Sequence, residues 1–126
     1  MDAPTRNFVR DRAGRRCEYC GLHEDQEPFA PFHLEHITAR QHGGTDDPDN
    51  LAWSCHHCNL HKGTNLTGID PESRQVVLLF HPRRNVWQDH FEPRGALVEG
   101  KTDVGRATVR LLKMNAGYRV ELRGVL

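Results

Sequence analysis

Four cysteines, arranged as two pairs of identical spacing, constrain the fold of this chain more than any other feature of its sequence. Cys17 and Cys20 form the first C-x2-C pair, and Cys55 and Cys58 form the second, with residues 21–54 between the pairs. A structural zinc ion takes four soft ligands in a tetrahedron, and in a reducing compartment thiols of this spacing favour zinc over disulfides. The pairs therefore predict one structural Zn2+ bound by all four cysteines. The intervening segment is longer than in a zinc ribbon, so a folded unit must lie inside it.

The sequence carries no signal for export or for membrane insertion. Its start, MDAPTRNFVRDRAGRR, has no apolar segment of the signal-peptide kind, and no later stretch approaches the ~20 apolar residues that a membrane span needs. We therefore expect a soluble, cytoplasmic protein with no membrane partner. A chain of 126 residues is also expected to form one domain, 1–126.

The formal net charge is zero, but the charges are distributed unevenly along the chain. Residues 1–20 carry five Arg against three acids, and residues 104–126 carry four Arg and one Lys against one acid. Residues 21–50 carry seven acids against one Arg. This pattern suits basic flanks that bind nucleic acid around an acidic centre that binds a cation. Ordinary solvated faces give the same pattern, so charge alone leaves both interpretations open.

The segment that begins between the cysteine pairs predicts a strand, a long loop, a second strand and a helix. FHLEHI, residues 32–37, alternates apolar and polar side chains as a strand does. TARQHGGTDDPDN, residues 38–50, is rich in Gly and Asp, and irregular loops of this length are usually functional or disordered. LAWSC, residues 51–55, predicts the second strand, and CHHCNLHK, residues 55–62, predicts a helix that ends at Gly63.

The remaining sequence predicts a short helix over residues 5–15 and a strand-and-helix extension over 71–126, so the predicted fold class is α+β. Strands are predicted for RQVVLLF (74–80), VWQDHF (86–91) and GALVEG (95–100). VGRATVRLLKMN (104–115) predicts a helix with Thr102 or Asp103 as its N-cap, and GYRVELRGVL (117–126) suits a strand or a helix. The extension either packs over the preceding unit or contacts DNA through Arg83, Arg84, Arg106 or Arg110.

Residues 17–68 carry, in order, the motifs CEYC, LEHI, HGG, DPDNLAWSC and CNLHKG. This series resembles the zinc-stapled branch of the HNH endonucleases, whose catalytic unit is a ββα-metal, or His-Me finger, fold. The resemblance implies an HNH unit over 17–68, stapled by the four-cysteine zinc site, and divalent-metal-dependent hydrolysis of DNA that leaves 5′-phosphate and 3′-hydroxyl ends. The alternative functions are a zinc-stapled DNA-binding module that does not cleave and a purely structural zinc domain for protein interaction.

Phosphodiester hydrolysis needs a base for the attacking water and a cation on the developing negative charge. The resemblance implies that His36 is the general base and that Asn50 fixes the loop that holds it. It also implies that Glu35 and Asn59 bind the catalytic cation, although the family more often has Asp or His where Glu35 stands. Histidine titrates near neutral pH and can accept the proton, while carboxylate and amide oxygens suit Mg2+ or Mn2+, with Ni2+ also possible.

Further polar side chains near these motifs are candidates for contacts with DNA or with the metal. Lys62 is a candidate for phosphate contact, because its positive charge would neutralise the DNA backbone, and Arg40 is likewise predicted to bind nucleic acid. His33 shares the predicted strand face of Glu35. It is a candidate third metal ligand or hydrogen-bond partner of a metal ligand, and the alternative is a half-exposed strand residue without such a role. His61 is either a phosphate contact or an ordinary helix residue.

Overall fold

The structure of the protein is a computed structural model that describes residues 1–124; residues 125 and 126, the end of the predicted extension, lie outside the described residues. Its helices are α1 (Ala3–Arg12), α2 (His56–Lys62), α3 (Trp87–His90), α4 (Asp103–Leu111) and α5 (Gly117–Gly124). Its strands are β1 (His33–His36), β2 (Leu51–Ser54), β3 (Thr67–Ile69), β4 (Val76–Leu78), β5 (Phe91–Arg94) and β6 (Leu97–Gly100). They pair antiparallel as β1–β2, β3–β4 and β5–β6. The α+β class is confirmed, and none of these helices is long and apolar enough to cross a membrane.

β1 and β2 form the hairpin that the sequence predicts between the cysteine pairs. Glu35 lies opposite Ala52, and His36 lies opposite Leu51. All of β2 is buried, whereas β1 buries Glu35 and leaves His36 partly exposed. Successive side chains of a strand point to opposite faces, so Glu35 points into the protein and His36 points away from it.

α2 follows the hairpin and carries the second cysteine pair. Its N-cap is Cys55, whose Sγ accepts a hydrogen bond from the backbone N–H of Cys58 at 3.4 Å. The helix ends at Lys62, because Gly63 has a φ of 53°, in the left-handed region that glycine adopts without a steric penalty. The predicted helix end is confirmed. α2 packs against β1 and completes the predicted order of strand, loop, strand and helix.

The first helix is displaced from its predicted range of 5–15. The side chain of Asp2 caps its first turn, so the helix begins earlier than predicted. It ends at Arg12, because Gly14 and Arg15 both have positive φ angles that an α-helix does not accept.

The extension differs from its prediction around α3. The strand predicted over 86–91 is wrong, because Trp87–His90 forms a helical turn and only Phe91 begins a strand. Nε1 of Trp87 donates a hydrogen bond to the carbonyl of Tyr19 at 2.8 Å, and the ring centroids of Trp87 and Phe91 are 5.1 Å apart. These tertiary contacts override the strand preference of the segment. The segment 117–126, which suits a strand or a helix, is helical in α5.

The β3–β4 hairpin was predicted only in part. β4 lies inside the predicted strand 74–80, but β3 was not predicted. Between them, the buried carboxylate of Asp70 accepts hydrogen bonds from the N–H groups of Glu72 and Ser73 and two from the guanidinium of Arg106, both at 2.9 Å. The hydrogen bonds from Arg106 lower the pKa of Asp70 well below its usual range. Asp70 thus joins this hairpin to α4.

The hydrophobic core surrounds the cysteine cluster and joins the inner unit to the extension. Its large apolar members are Tyr19, Leu22, Phe32, Leu51, Trp53, Phe80, Phe91, Leu112 and Met114. Arg119 of α5 forms an ion pair with Glu27 at 2.7 Å, and both side chains are buried. Arg83 is ion-paired with Glu18 beside the first cysteine pair. The extension therefore packs over the inner unit and commits Arg83 to an internal contact, while Arg84 is exposed.

Candidate active site and metal centre

The four cysteine side chains meet in one buried cluster. Their Sγ atoms all lie within 4.8 Å of one another, and those of Cys20 and Cys55 are 3.8 Å apart. A tetrahedral ion with Zn–S bonds of about 2.3 Å holds its sulfurs about 3.8 Å apart. All four residues are free thiols. The cluster therefore fits a structural zinc ion, as the spacing predicts.

Backbone groups around the cluster are arranged to support thiolate charge. In each pair, the N–H of the second cysteine lies near the sulfur of the first, at 3.5 Å in the first pair and 3.4 Å in the second. Hydrogen bonds of this kind favour the ionised sulfur that a metal requires. The first pair is also tied to β2, because Glu18 donates its N–H to the carbonyl of Trp53 at 2.9 Å and accepts the N–H of Trp53 at 2.7 Å. A zinc ion here would join the first pair, β2 and α2 at one point.

His36 lies at the end of β1 with its ring beside a carboxylate. Nε2 of His36 is 2.8 Å from Oδ1 of Asp46, and Arg40 donates a hydrogen bond to the same oxygen at 2.8 Å. The side chain of His36 is 23% exposed, so water and substrate can approach the ring. The hydrogen bond with His36, aided by Arg40, lowers the pKa of Asp46, which keeps this carboxyl ionised at neutral pH. The structure brings His36 and Arg40 together through Asp46, a residue that the sequence analysis did not select.

The loop from 38 to 50 is closed by Asn50. Its Oδ1 accepts the N–H of Thr38 at 2.9 Å, and its Nδ2 donates to the carbonyls of Thr38 at 2.9 Å and Thr45 at 2.8 Å. Gly44 permits this closure, because a Cβ added there would lie 1.7 Å from the carbonyl oxygen of Thr38. Gly43 turns the chain with a φ of 88°. Gly43, Gly44 and Asn50 thus hold the two ends of the loop together next to His36.

Glu35 and Lys62 form a buried ion pair beneath the hairpin. Their side chains are 3% and 2% exposed, and Oε1 of Glu35 lies 2.5 Å from Nζ of Lys62. Oε2 of Glu35 accepts a hydrogen bond from the hydroxyl of Tyr19 at 2.6 Å. Nζ of Lys62 also donates to the carbonyl of Ile37 at 2.9 Å. Burial raises the pKa of the Glu35 carboxyl, while the ammonium and the hydroxyl act in the opposite direction.

This ion pair occupies the side chains of two residues whose roles were predicted from the sequence, and those roles stay predictions. Lys62 was predicted to contact DNA phosphates, but its ammonium is buried and bonded inside the protein. Glu35 was expected to offer an open carboxylate to a cation, but both of its oxygens are engaged by Tyr19 and Lys62. Glu35 and Lys62 lie far apart in the sequence, so its spacing gives no indication that the two meet.

Asn59 lies on the same face of α2 as Lys62, because the two are three residues apart on a helix. Its backbone N–H donates to the carbonyl of Cys55, as expected within a helix. Within residues 1–124, its side-chain amide makes no hydrogen bond, and the residue is partly exposed. The amide oxygen of Asn59 is therefore available to a ligand, one helical turn from the residue that holds Glu35.

The two additional histidines considered from the sequence lie in separate pairs. Nε2 of His33 is 3.0 Å from Nδ1 of His56, so His33 is paired with the start of α2 and not with Glu35. The ring of His61 packs against that of His57, with centroids 4.4 Å apart. A phosphate contact of His61 stays a prediction.

The extension contributes to the surroundings of the loop. A groove runs between the loop residues Thr38 and Asn50 and the turn that carries His81 and Arg84. Arg84 and Arg83 both line this groove, but Arg84 is exposed, whereas Arg83 is ion-paired with Glu18. The sequence gives no indication that this turn lies beside the loop.

A hairpin, a clamped loop, a helix and a four-thiol cluster define a ββα unit of the metal-stapled kind. Residues 17–65 match the model of the family described as HNH endonuclease, and this is the segment in which the motifs predict an HNH unit. No curated protein and no solved structure matches the chain.

We expect Lys62→Met to lower the free energy of unfolding by about 3 to 5 kcal/mol, the usual cost of removing one partner of a buried ion pair. The change keeps the apolar stem and leaves Glu35 buried without its counter-ion. Urea unfolding of the zinc-loaded protein measures the loss. The exposed Lys101→Met is the control, and the double variant Glu35→Gln with Lys62→Met should recover part of the stability. A Lys62→Met protein of unchanged stability with a reduced salt dependence of DNA binding would instead restore the phosphate-contact role.

Proposed function

We propose that this protein is a divalent-metal-dependent endonuclease that hydrolyses DNA phosphodiester bonds with His36 as the general base. The observation that carries this proposal is the partly exposed ring of His36, 2.8 Å from Asp46, inside a segment that matches the HNH endonuclease family. A neutral imidazole held at one nitrogen can accept a proton at the other. The water that attacks phosphorus must lose a proton, and such a nitrogen of the His36 ring can accept it.

DNA is the proposed substrate, and two exposed arginines support contact with its backbone. The side chain of Arg40 is 68% exposed and lies next to His36 through their shared partner Asp46. Arg84 is exposed and lines the groove beside the loop. Guanidinium groups at these positions would hold phosphates close to the proposed base.

The donor chemistry of Glu35 and Asn59 fits a hard divalent cation, Mg2+ or Mn2+, with Ni2+ also possible. Asn59 offers an amide oxygen without a hydrogen bond among the described residues 1–124, and Glu35 offers a carboxylate whose Oε1 lies beside the ammonium of Lys62. For a cation to bind Oε1 of Glu35, it must therefore replace the ammonium of Lys62 at that oxygen. When bound, the cation would supply positive charge against the negative charge that develops on the scissile phosphate.

A second candidate function is a zinc-stapled DNA-binding module that does not cleave. The ion pair of Glu35 and Lys62 favours it, because a carboxylate that keeps its ammonium partner has no oxygen free for a cation. Both candidates predict binding of DNA, and only the endonuclease predicts a product.

We further propose that residues 1–126 form one domain, in which 71–126 is a packing layer over the HNH unit. The contact of Trp87 with Tyr19 and the buried pair of Arg119 with Glu27 support this organisation. Each contact joins a residue of the extension to one in or near the first cysteine pair.

The test of the endonuclease is the relaxation of supercoiled plasmid. The zinc-loaded protein is expected to nick plasmid in Mg2+ or Mn2+ and to leave it intact without an added divalent cation. End-labelling of the product is expected to find 5′-phosphate and 3′-hydroxyl ends. DNA binding without any nicking in Mg2+, Mn2+ or Ni2+ would support the non-cleaving module instead.

We expect Asn59→Ala to raise the Mg2+ concentration needed for half-maximal nicking, because the variant removes one of two oxygen ligands. Glu35→Gln is expected to raise it as well, since a neutral amide attracts the cation less than a carboxylate. Isothermal titration with Mn2+ measures the loss of affinity without DNA, and Gln41→Ala, on the loop surface, is the control. Equal Mn2+ affinity in the Asn59→Ala and wild-type proteins would remove Asn59 from the cation site.

A further inference from the structure

We infer that Asp46 is a positioning residue for His36: it accepts the proton on Nε2 and so presents Nδ1 as the nitrogen that takes a proton from water. The catalytic meaning of this inference rests on the proposed endonuclease function. The arrangement itself is a property of the protein without DNA or metal and can be tested alone.

The chemistry of the contact determines which nitrogen carries the proton. Oδ1 of Asp46 lies 2.8 Å from Nε2 of His36 and also accepts a hydrogen bond from Arg40. An ionised carboxylate has no proton to donate, so Nε2 of a neutral ring must be the donor. The lone pair of the ring is then on Nδ1, for which no hydrogen bond occurs within residues 1–124. When Nδ1 takes a proton from water, the oxygen of that water forms a bond to phosphorus while the P–O3′ bond breaks. The departing 3′ oxygen gains a proton from solvent to become the 3′-hydroxyl, and the carboxylate of Asp46 stabilises the imidazolium of His36.

The loop holds Asp46 in place before any ligand binds. Asn50 donates to the carbonyl of Thr45, the residue before Asp46, and Gly44 packs against Thr38 at the other side of the closure. Arg40 fixes the carboxylate from a second direction. Preset orientation of this kind limits the ring of His36 to one rotation and one proton position.

The loop contains three acidic residues, and of these, within residues 1–124, only Asp46 contacts the ring of His36. Asp47 accepts the N–H of Asp49 at 2.8 Å and caps the short 3-10 turn before β2. Asp49 is exposed and its carboxylate makes no hydrogen bond within residues 1–124. Asp49 is therefore a matched control, since its removal takes the same charge from the same loop without touching His36.

The first measurement is nitrogen NMR of the His36 ring in the zinc-loaded protein without DNA, at a pH where the ring is neutral. The wild-type protein is expected to have the Nε2–H form alone, with a ring proton protected from exchange with water. Asp46→Ala is expected to lose this protection and to mix the two tautomers, while Asp46→Asn, which keeps an acceptor oxygen, retains part of it. Asp49→Ala is expected to match the wild type. Unchanged proton protection in Asp46→Ala, with the fold intact by melting, would overturn the inference.

The second measurement is the nicking rate on plasmid. Asp46→Ala is expected to lower kcat about 10- to 100-fold, as loss of a partner that orients a functional histidine does, with KM for DNA little changed. A rise of KM at constant kcat would make Asp46 a substrate-binding residue and would contradict its positioning role. If the wild-type protein does not nick DNA at all, the proposed endonuclease fails, and the NMR result still decides whether Asp46 positions His36.

Discussion

Removal of metal from the four-thiol cluster is expected to unfold the hairpin and α2, and Cys55→Ser is expected to have the same effect. The four sulfurs lie in the core within 4.8 Å of one another, so removal of a metal ion takes away the bonds that hold the two cysteine pairs together. Binding at such a site contributes about 10 to 16 kcal/mol, which is as large as the whole stability of a typical domain, about 5 to 15 kcal/mol. Circular dichroism melting with and without a strong chelator measures the loss, and elemental analysis of protein purified under reducing conditions should find one zinc per chain.

The Cys55→Ser variant separates metal binding from helix capping. Sγ of Cys55 caps α2, and a serine hydroxyl can take over that hydrogen bond, so the cap is preserved while one zinc ligand is lost. Ser54→Ala, on the adjacent residue, is the control, because within residues 1–124 its hydroxyl bonds only to a neighbouring carbonyl. Cobalt substitution should give the absorption of a tetrahedral thiolate site in the control and a changed spectrum in Cys55→Ser. An unchanged melting curve in Cys55→Ser, or zinc-free folded protein, would contradict the structural role of the metal.

The elements that the sequence predicted correctly are those whose signals lie within a short segment. Each of these signals spans only a few residues. The spacing within each cysteine pair indicates the metal site, the alternation in FHLEHI indicates the first strand, and the glycine after Lys62 indicates the end of the helix. The strand predicted over 86–91 failed for the opposite reason, since Trp87 is held by the carbonyl of Tyr19, 68 positions away. The β3 strand was missed because TGI is too short for a pattern, although the Asp-Pro-Glu-Ser turn after it was a usable signal.

In the candidate site, sequence motifs located the residues but not their partners. His36, Asn50 and Arg40 lie around the loop where a ββα unit brings them together. Burial of Lys62 against Glu35 could not be predicted, because a lysine near the end of a short helix is usually exposed. Asp46 was missed because three acids follow the glycine pair closely, and composition does not indicate which one faces the histidine.

His36→Ala is expected to lower the rate of plasmid nicking by about 10^2- to 10^4-fold, the usual contribution of a general base. The base acts on the proton that moves in the transition state, so binding of DNA and of Mg2+ should remain close to wild type. Stability should change little as well, because the ring of His36 is partly exposed and lies outside the hydrophobic core. Single-turnover nicking, fluorescence anisotropy with labelled DNA and thermal melting measure the three quantities separately.

The matched control for His36→Ala is His42→Ala, which removes a second imidazole from the same loop. Nε2 of His42 contacts the carbonyl of Thr64 at 3.2 Å, and within residues 1–124 its ring makes no hydrogen bond with Asp46, so its loss should leave the nicking rate within a few-fold of wild type. If His36→Ala keeps near wild-type nicking, His36 is not the base, whatever the effect of Asp46. If it loses nicking together with DNA binding, the ring acts in recognition of the substrate, because a general base contributes to the transition state and not to the ground-state complex. Only loss of rate at constant DNA affinity and constant stability agrees with proton transfer to His36.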